Sequence, residues 1–256
     1  MEREPQINFQ ESKESEKFGR DVQIHAIFMR HGEKATSGEL TEEGKNQAVK
    51  FGEKLENRDA IKGYSSPVQR VLETVNTVVE NSPHDKKLNT RIRTEFAIPV
   101  FSKEATKKYK DLEKLGSNEA AEWYLSFGSE KPDSGTVSPQ EVAKSFAYIV
   151  QKYIDMTDKL YSGSNIDLIN GTHQALPEAL LKEILVRKQD ERKIVGFEKL
   201  EDIGGALKPT EDMEFFIKTD DKGNKEVKLH FRSQIYDIDL PILHELAESY
   251  KQQKHE

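Results

Sequence analysis

Four residues in three short segments carry the chemistry that this sequence offers. Arg30-His31-Gly32 ends the apolar run Val22–Met29, Arg70 follows Ser65-Ser66-Pro67, and His173 closes Gly171-Thr172-His173 just after the apolar stretch Ile166–Ile169. Each segment reads as a buried strand running into a turn. In open α/β sheets, ligands gather beyond the carboxyl ends of the strands where the strand order reverses. Three such turns can therefore face one pocket although they lie far apart in the chain. Two guanidiniums and two imidazoles converging there would suit a phosphoryl group. Arginine forks match its oxygens in bidentate fashion, and helix N-termini add backbone N–H donors.

The chain around these residues has 256 residues, 39 Lys+Arg against 46 Asp+Glu, a net charge of −7, and no cysteine. The missing thiols exclude a disulfide scaffold, a cysteine-based zinc or iron–sulfur site and thiol catalysis. For phosphoryl chemistry this leaves histidine as the candidate nucleophile. The acidic balance argues against a general nucleic-acid binder or a polybasic membrane binder. An acidic exterior around a basic cleft fits a small phosphorylated substrate better than a polyanion. Charged residues make up 33% of the chain and mean hydropathy is −0.77, which is polar but globular. No stretch approaches the roughly 18 apolar residues of a membrane span. The first twenty residues carry acids throughout and no apolar core of a signal peptide, so a cytoplasmic location is expected.

The elements that must position the four residues follow from periodicity and caps. Thr41 suits an N-cap for a helix through Ala48, Phe51 and Leu55. Ile61–Tyr64 is a weak strand. Ser66 with Pro67 signals a helix start, and that helix runs through Val71, Thr74, Val75 and Val78 to a stop before Pro83. Ser138-Pro139-Gln140-Glu141 is a capping box opening a long amphipathic helix to Leu160, and Ser117 suits the cap of a shorter one. After His173 a helix is expected from about Pro177 to Val186. Met213–Lys218 and Glu226–Phe231 flank Asp221–Asn224 as a β-hairpin, and Asp239 caps a last helix with Pro241 in its first turn. The expected fold is an α/β three-layer sandwich, with a mostly parallel central sheet, helices on both faces and a helical insertion at about 102–163. Residues 1–20 read as a flexible tail and 21–256 as a single domain.

At this point the sequence resembles a known family. Met29-Arg30-His31-Gly32-Glu33 after a strand, Leu40-Thr41-Glu42-Glu43-Gly44, Ser65-Ser66-Pro67-Val68-Gln69-Arg70 and Gly171-Thr172-His173 are similar, in content and in order, to the histidine phosphatase superfamily, also called phosphoglycerate mutase-like. Any one of these tripeptides is weak, whereas four in the family's order are specific. The resemblance implies that His31 attacks phosphorus as a neutral imidazole to give a phosphohistidine, which water then hydrolyses. Arg30, Arg70 and His173 would bind the phosphoryl oxygens, and the scheme requires neither metal nor cofactor. The family's proton donor, an acid soon after the third core strand, points to Glu95 in Arg91-Ile92-Arg93-Thr94-Glu95, with Glu104 in reserve. Gln174 stands where one branch has an aspartate and the other commonly has glycine. Only Glu33–Glu39 separates the first motif from the second, shorter than in glycolytic mutases, which favours a phosphatase.

Other readings stay open at this stage: a non-catalytic phospho-ligand binding or regulatory module on the same fold, a phosphomutase, or, with little weight, a metal hydrolase using His31, Glu33 and His173. His25, His84, His230, His244 and His255 read as ordinary histidines. Asp220–Asn224 reads as a turn rather than a calcium loop, and Asn170-Gly171-Thr172 as part of the site rather than a glycosylation acceptor. The Lys103–Lys110 cluster reads as a solvated helix face. Oligomeric state is not legible in the sequence.

Overall fold

The computed structural model of the protein describes residues 17–189 and 192–254. Among the described residues, nine strands form one sheet in the order β3-β2-β4-β1-β7-β8-β9-β5-β6. Its parallel part consists of β1 (Gln23–Arg30), β2 (Ala60–Ser65), β3 (Lys87–Ile92) and β4 (Asn165–Thr172). All but the first residue of β1 is buried, the pattern of a strand covered on both faces. Antiparallel strands continue the sheet beyond β1. These are β7 (Asp212–Thr219), β8 (Lys225–Phe231), β9 (Gln234–Ile238), β5 (Leu185–Gln189) and β6 (Arg192–Val195). β7 alternates instead, with Met213, Phe215 and Ile217 inward and Glu214, Phe216 and Lys218 on the open face.

Helices α1 (Glu42–Glu53) and α2 (Gln69–Asn81) cover one face, where Ala48, Val75 and Val78 pack on Ile27, Met29, Ile61 and Ile169. The other face meets α5 (Pro139–Met156), α6 (Leu176–Ile184) and α7 (Leu240–Gln253) in a larger core centred on Phe28, Phe146, Leu180 and Phe215. Helix α5 opens with its capping box in place: Ser138 N–H donates to Glu141 Oε2 at 2.7 Å, and Glu141 N–H to Ser138 Oγ at 3.2 Å. Within the stretch expected as an insertion, α5 belongs to this core layer. The two shorter helices, α3 (Lys103–Glu113) and α4 (Ser117–Leu125), instead meet the loops after β1 and β4. Ser117 is the first residue of α4 rather than its side-chain cap.

The expected tail falls largely on residues 1–16, which lie outside the described residues, as does His255. Within residues 17–20, Phe18 pairs with Tyr161 as an isolated bridge and stacks on its ring. Strands β5, β6 and β9 were not expected. β5 follows Ile184 directly, so the helix ends two residues earlier than its apolar periodicity suggests. No helix among the described residues is long and apolar enough to cross a membrane.

Candidate active site

Three adjacent parallel strands end side by side and deliver the chemistry. β2, β4 and β1 are neighbours, and backbone bonds continue past their ends: Ser66 N–H donates to Gly171 O, and His31 N–H to Thr172 O, each at 3.1 Å. Ser66, His173 and the pair Arg30-His31 thereby come together. The His31 and His173 rings lie 5.5 Å apart, edge to face, and both residues are buried.

The loop carrying His31 is pressed against the first turn of α1. A Cβ on Gly44 would stand 2.3 Å from Glu33 O, and one on Gly32 would stand 2.4 Å from Gly44 O. Only hydrogen fits at either place, which gives the Leu-Thr-x-x-Gly spacing a physical reason. Thr41 caps α1 as expected, accepting from Gly44 N–H at 2.9 Å. Thr74 on α2 braces the same loop: it accepts from Gly32 N–H at 3.1 Å and donates to Arg70 O at 2.8 Å.

Hydrogen bonds fix the tautomers of both imidazoles. His31 Nδ1 lies 2.7 Å from Gly32 O, an acceptor only, so Nδ1 carries the proton and Nε2 keeps its lone pair. Arg70 Nε–H points at that lone pair from 3.0 Å. Burial pulls the His31 pKa down to about 3; Arg70, Arg30 and Lys34 pull the same way, and the Gly32 carbonyl opposes them. His173 faces an Arg70 Nη donor at 3.5 Å through Nδ1, so its Nε2–H donates to Ser66 Oγ at 2.9 Å. Burial, then His31 and Arg70, pull its pKa down to about 2. Both rings are neutral at pH 7.

The serine bonded to His173 explains one departure from expectation. Ser66 does not cap α2, which starts at Gln69 behind Val68; its hydroxyl accepts from Val68 N–H at 3.3 Å and serves His173 instead. Gln174 keeps a negative φ, and the left-handed residue is the next one, Ala175, at φ 69°. The Gln174 amide donates to Ser117 O at 2.6 Å and ties the His173 turn to α4.

Arg30 is buried, with one Nη donating to Leu207 O at 2.7 Å and its Nε–H left without a partner. Burial lowers its pKa, while the carboxylates of Glu178, Glu113 and Glu211 counteract. Glu178 is wholly buried; its Oε1 accepts from Leu207 N–H at 2.7 Å, and burial holds its carboxyl above the usual range. Arg70 also reaches Gly38 O at 3.4 Å, so the loop after β1 folds over it.

Of the two glutamates expected to supply a proton, neither is joined to this group. Glu95 sits in a single 3-10 turn after β3 (Thr94–Phe96), and its Oε1 accepts from Lys254 Nζ at 2.6 Å. Burial raises its pKa, but the hydrogen bond from Lys254, with Arg93 and the backbone, outweighs burial and the net shift is downward. Glu104 lies exposed in the first turn of α3. Besides Glu178 and Glu211, the fold brings Glu113, at the other end of α3, to the loop after β1, 3.0 Å from Lys34 Nζ. Tyr109, one turn earlier on α3, interacts with Arg30, Glu178 and Glu113. The i, i+4 spacing of Tyr109 and Glu113 was the available sequence signal, hidden among five lysines. Four of those lysines, Lys103, Lys107, Lys110 and Lys114, line a separate cleft of about 470 Å³ that contains none of the site residues.

The remaining described histidines stay outside the site. His25 pairs with Glu214, which His230 also approaches, His84 lies against Asp167, and His244 is exposed. No cluster of three or more His, Asp or Glu side chains among the described residues is arranged to hold a metal ion.

Comparison with known proteins decides the family. The histidine phosphatase superfamily (branch 1) matches residues 26–195. The chain belongs to that superfamily. Solved structures share the fold at low identity. A mycobacterial glucosyl-3-phosphoglycerate phosphatase is 14% identical with a TM-score of 0.54, over 82% of this chain and 99% of its own. A phosphoglycerate mutase from Bacillus anthracis str. Sterne is 15% identical with a TM-score of 0.50, over 89% and 98%. No curated protein matches in sequence. As a histidine phosphatase superfamily member, the chain carries the four motifs on one side of one sheet, at the strand ends that meet α3 and α4.

Proposed function

We propose that the protein is a phosphomonoesterase that transfers a phosphoryl group from a small substrate to His31 and then to water. The observation that supports this reading best is a neutral, buried imidazole with its Nε2 lone pair set among Arg70, Arg30 and His173. Displacement at phosphorus needs little covalent help beyond a nucleophile, so positioning and charge neutralisation carry the catalysis. Nε2 forms the N–P bond as the ester P–O bond breaks, and Gly32 O stabilises the ring as positive charge develops on it. For this, Arg70 turns its Nε–H from Nε2 to the phosphoryl oxygens. The unpartnered Nε–H of Arg30 is a second donor for those oxygens. His173, its Nε2–H held by Ser66, presents its Nδ1 beside the Arg70 guanidinium and helps to shape the pocket around the phosphoryl group. Water afterwards attacks phosphorus and releases His31.

The short Glu33–Glu39 segment favours hydrolysis over transfer to a second substrate position. The test is release of p-nitrophenol from p-nitrophenyl phosphate with EDTA present, by wild type and by His31→Ala. Wild type should turn over and form an acid-labile, alkali-stable phosphoprotein, and the variant should do neither. Equal activity in the two proteins refutes the mechanism; binding of inorganic phosphate without turnover of any phosphate ester points to a non-catalytic module instead.

A further inference from the structure

A phosphate ester of an ordinary alcohol leaves as a strongly basic alkoxide unless something hands it a proton. The glutamate expected for that task, Glu95, is held by Lys254. Three observations converge on another. Glu113 closes the gap between α3 and the loop after β1, because Lys34, three residues past the nucleophile, holds Glu113 Oε1 at 3.0 Å. Lys34 is itself close enough to both His31 and His173 to act on their charge. Among the described carboxylates, Glu113 alone acts on both Arg30 and Arg70. Glu178 and Glu211 act on Arg30, but Glu178 is wholly buried, with Oε1 held by Leu207 N–H and Oε2 closed off from solvent, and the Arg232 guanidinium holds Glu211.

From this placement we infer that Glu113, on α3, is the acid that protonates the leaving-group oxygen. The inference rests on the phosphotransfer to His31 proposed above. The pair with Lys34 ties the Glu113 carboxyl to the loop that carries His31, and its side chain is 31% exposed. An arriving phosphoryl dianion competes with Glu113 for the Lys34 ammonium, and the step starts from the complex in which the Glu113 carboxyl carries a proton. In the first step the His31 Nε2 lone pair forms the N–P bond. The P–O bond breaks with its electron pair on oxygen, and the Glu113 proton moves to that oxygen, releasing a neutral alcohol. In the second step water forms the new P–O bond and the N–P bond breaks back to His31. The Glu113 carboxylate takes the proton that water gives up. Atoms and charge balance with water as the only co-reactant.

The experiment varies the leaving group. Wild type, Glu113→Gln and Glu95→Gln are compared on p-nitrophenyl phosphate, whose phenolate leaves without help, and on β-glycerophosphate, whose alkoxide does not. General-acid catalysis contributes about 10²–10⁴-fold. Glu113→Gln should therefore lose about a hundredfold or more in kcat/KM on β-glycerophosphate, and no more than about threefold on p-nitrophenyl phosphate. Glu95→Gln should show no such split. An equal loss on both substrates would assign Glu113 a structural role, no loss on either would give it none, and a split confined to Glu95→Gln would return the acid to Glu95. Each of these overturns the inference. Failure of the underlying reading looks different, because wild type itself would then hydrolyse neither ester.

Discussion

Replacing His31 with glutamine removes a buried group that resists protonation in the folded chain but takes a proton readily in the unfolded one. The ordinary imidazole value is 6.5, and burial together with Arg70, Arg30 and Lys34 lowers it to about 3 in the fold. Below pH 6.5 the unfolded chain therefore binds a proton that the folded chain refuses, and stability falls as pH falls. At about 1.4 kcal/mol per pH unit, this one ring costs about 2 kcal/mol by a pH near 5, and the cost keeps growing until the folded ring itself titrates. Other groups titrate in the same window with the opposite sign. Asp212 is raised to about 7, and Asp167 to about 6, both chiefly by burial, so the raw acid profile of wild type is a sum. The difference between wild type and His31→Gln isolates the imidazole. Urea unfolding followed by circular dichroism, at several pH values from 7 down to 5, should show the variant gaining on wild type by about 2 kcal/mol. A stability difference that stays constant across that range would mean that His31 is not held neutral, and the case for it as a ready nucleophile would fall with it.

Three further outcomes follow from particular contacts. Gly44→Ala forces a Cβ to within 2.3 Å of Glu33 O; it should cost about 1–3 kcal/mol and displace the His31 loop, lowering both the melting temperature and p-nitrophenyl phosphate turnover. Ser66→Ala removes the partner of His173 Nε2 and leaves buried donors unsatisfied; stability should fall by about 1–3 kcal/mol and kcat/KM by about tenfold. Glu95→Gln breaks the pair with Lys254 and should destabilise the fold by about 1 kcal/mol at pH 7. Because the Glu95 pKa is lowered, that loss is present above the usual carboxylate range and disappears as pH falls through it, which unfolding curves at pH 7 and 3.5 would resolve.

The parallel half of the sheet and the four residues Arg30, His31, Arg70 and His173 that it gathers were legible because a physical pattern marked each one. β1, β2 and β4 are short apolar runs ending in turns, and Thr41, Ser138 and Asp239 cap their helices by the side-chain bonds their positions suggest. The antiparallel half was only partly legible. β9 was hidden by its turn: Arg232 and Ser233 both take positive φ, at 50° and 61°, where glycine or asparagine would have signalled a two-residue hairpin. The Arg232 side chain fastens that turn from outside, donating to Glu211, Ile203 O and Ala206 O, a long-range network with no local trace. β5 lacked any breaker, since Leu185 follows Ile184 without a glycine or proline. The Ser66-Pro67 pair signalled a cap, and a tertiary partner, His173, claimed the hydroxyl instead. The fate of Glu95 was likewise settled by Lys254, 159 residues later in the chain.

The placement of β1 has a consequence for how the chain comes into being. Among the described residues it precedes every other strand, and its residues from Ile24 to Met29 are made for a fully covered position. Yet its neighbours are β4, beginning at Asn165, and β7, beginning at Asp212, so neither edge can be paired until more than 130 further residues have been made. Long-range strand pairing is slow, and unpaired apolar edges attract other chains. Newly made protein should therefore pass through a stage in which its most aggregation-prone strand waits longest for its partners. The same wait keeps His31 apart from Thr172 and His173, so the assembled site should arrive late and all at once, with the closing of β4 onto β1.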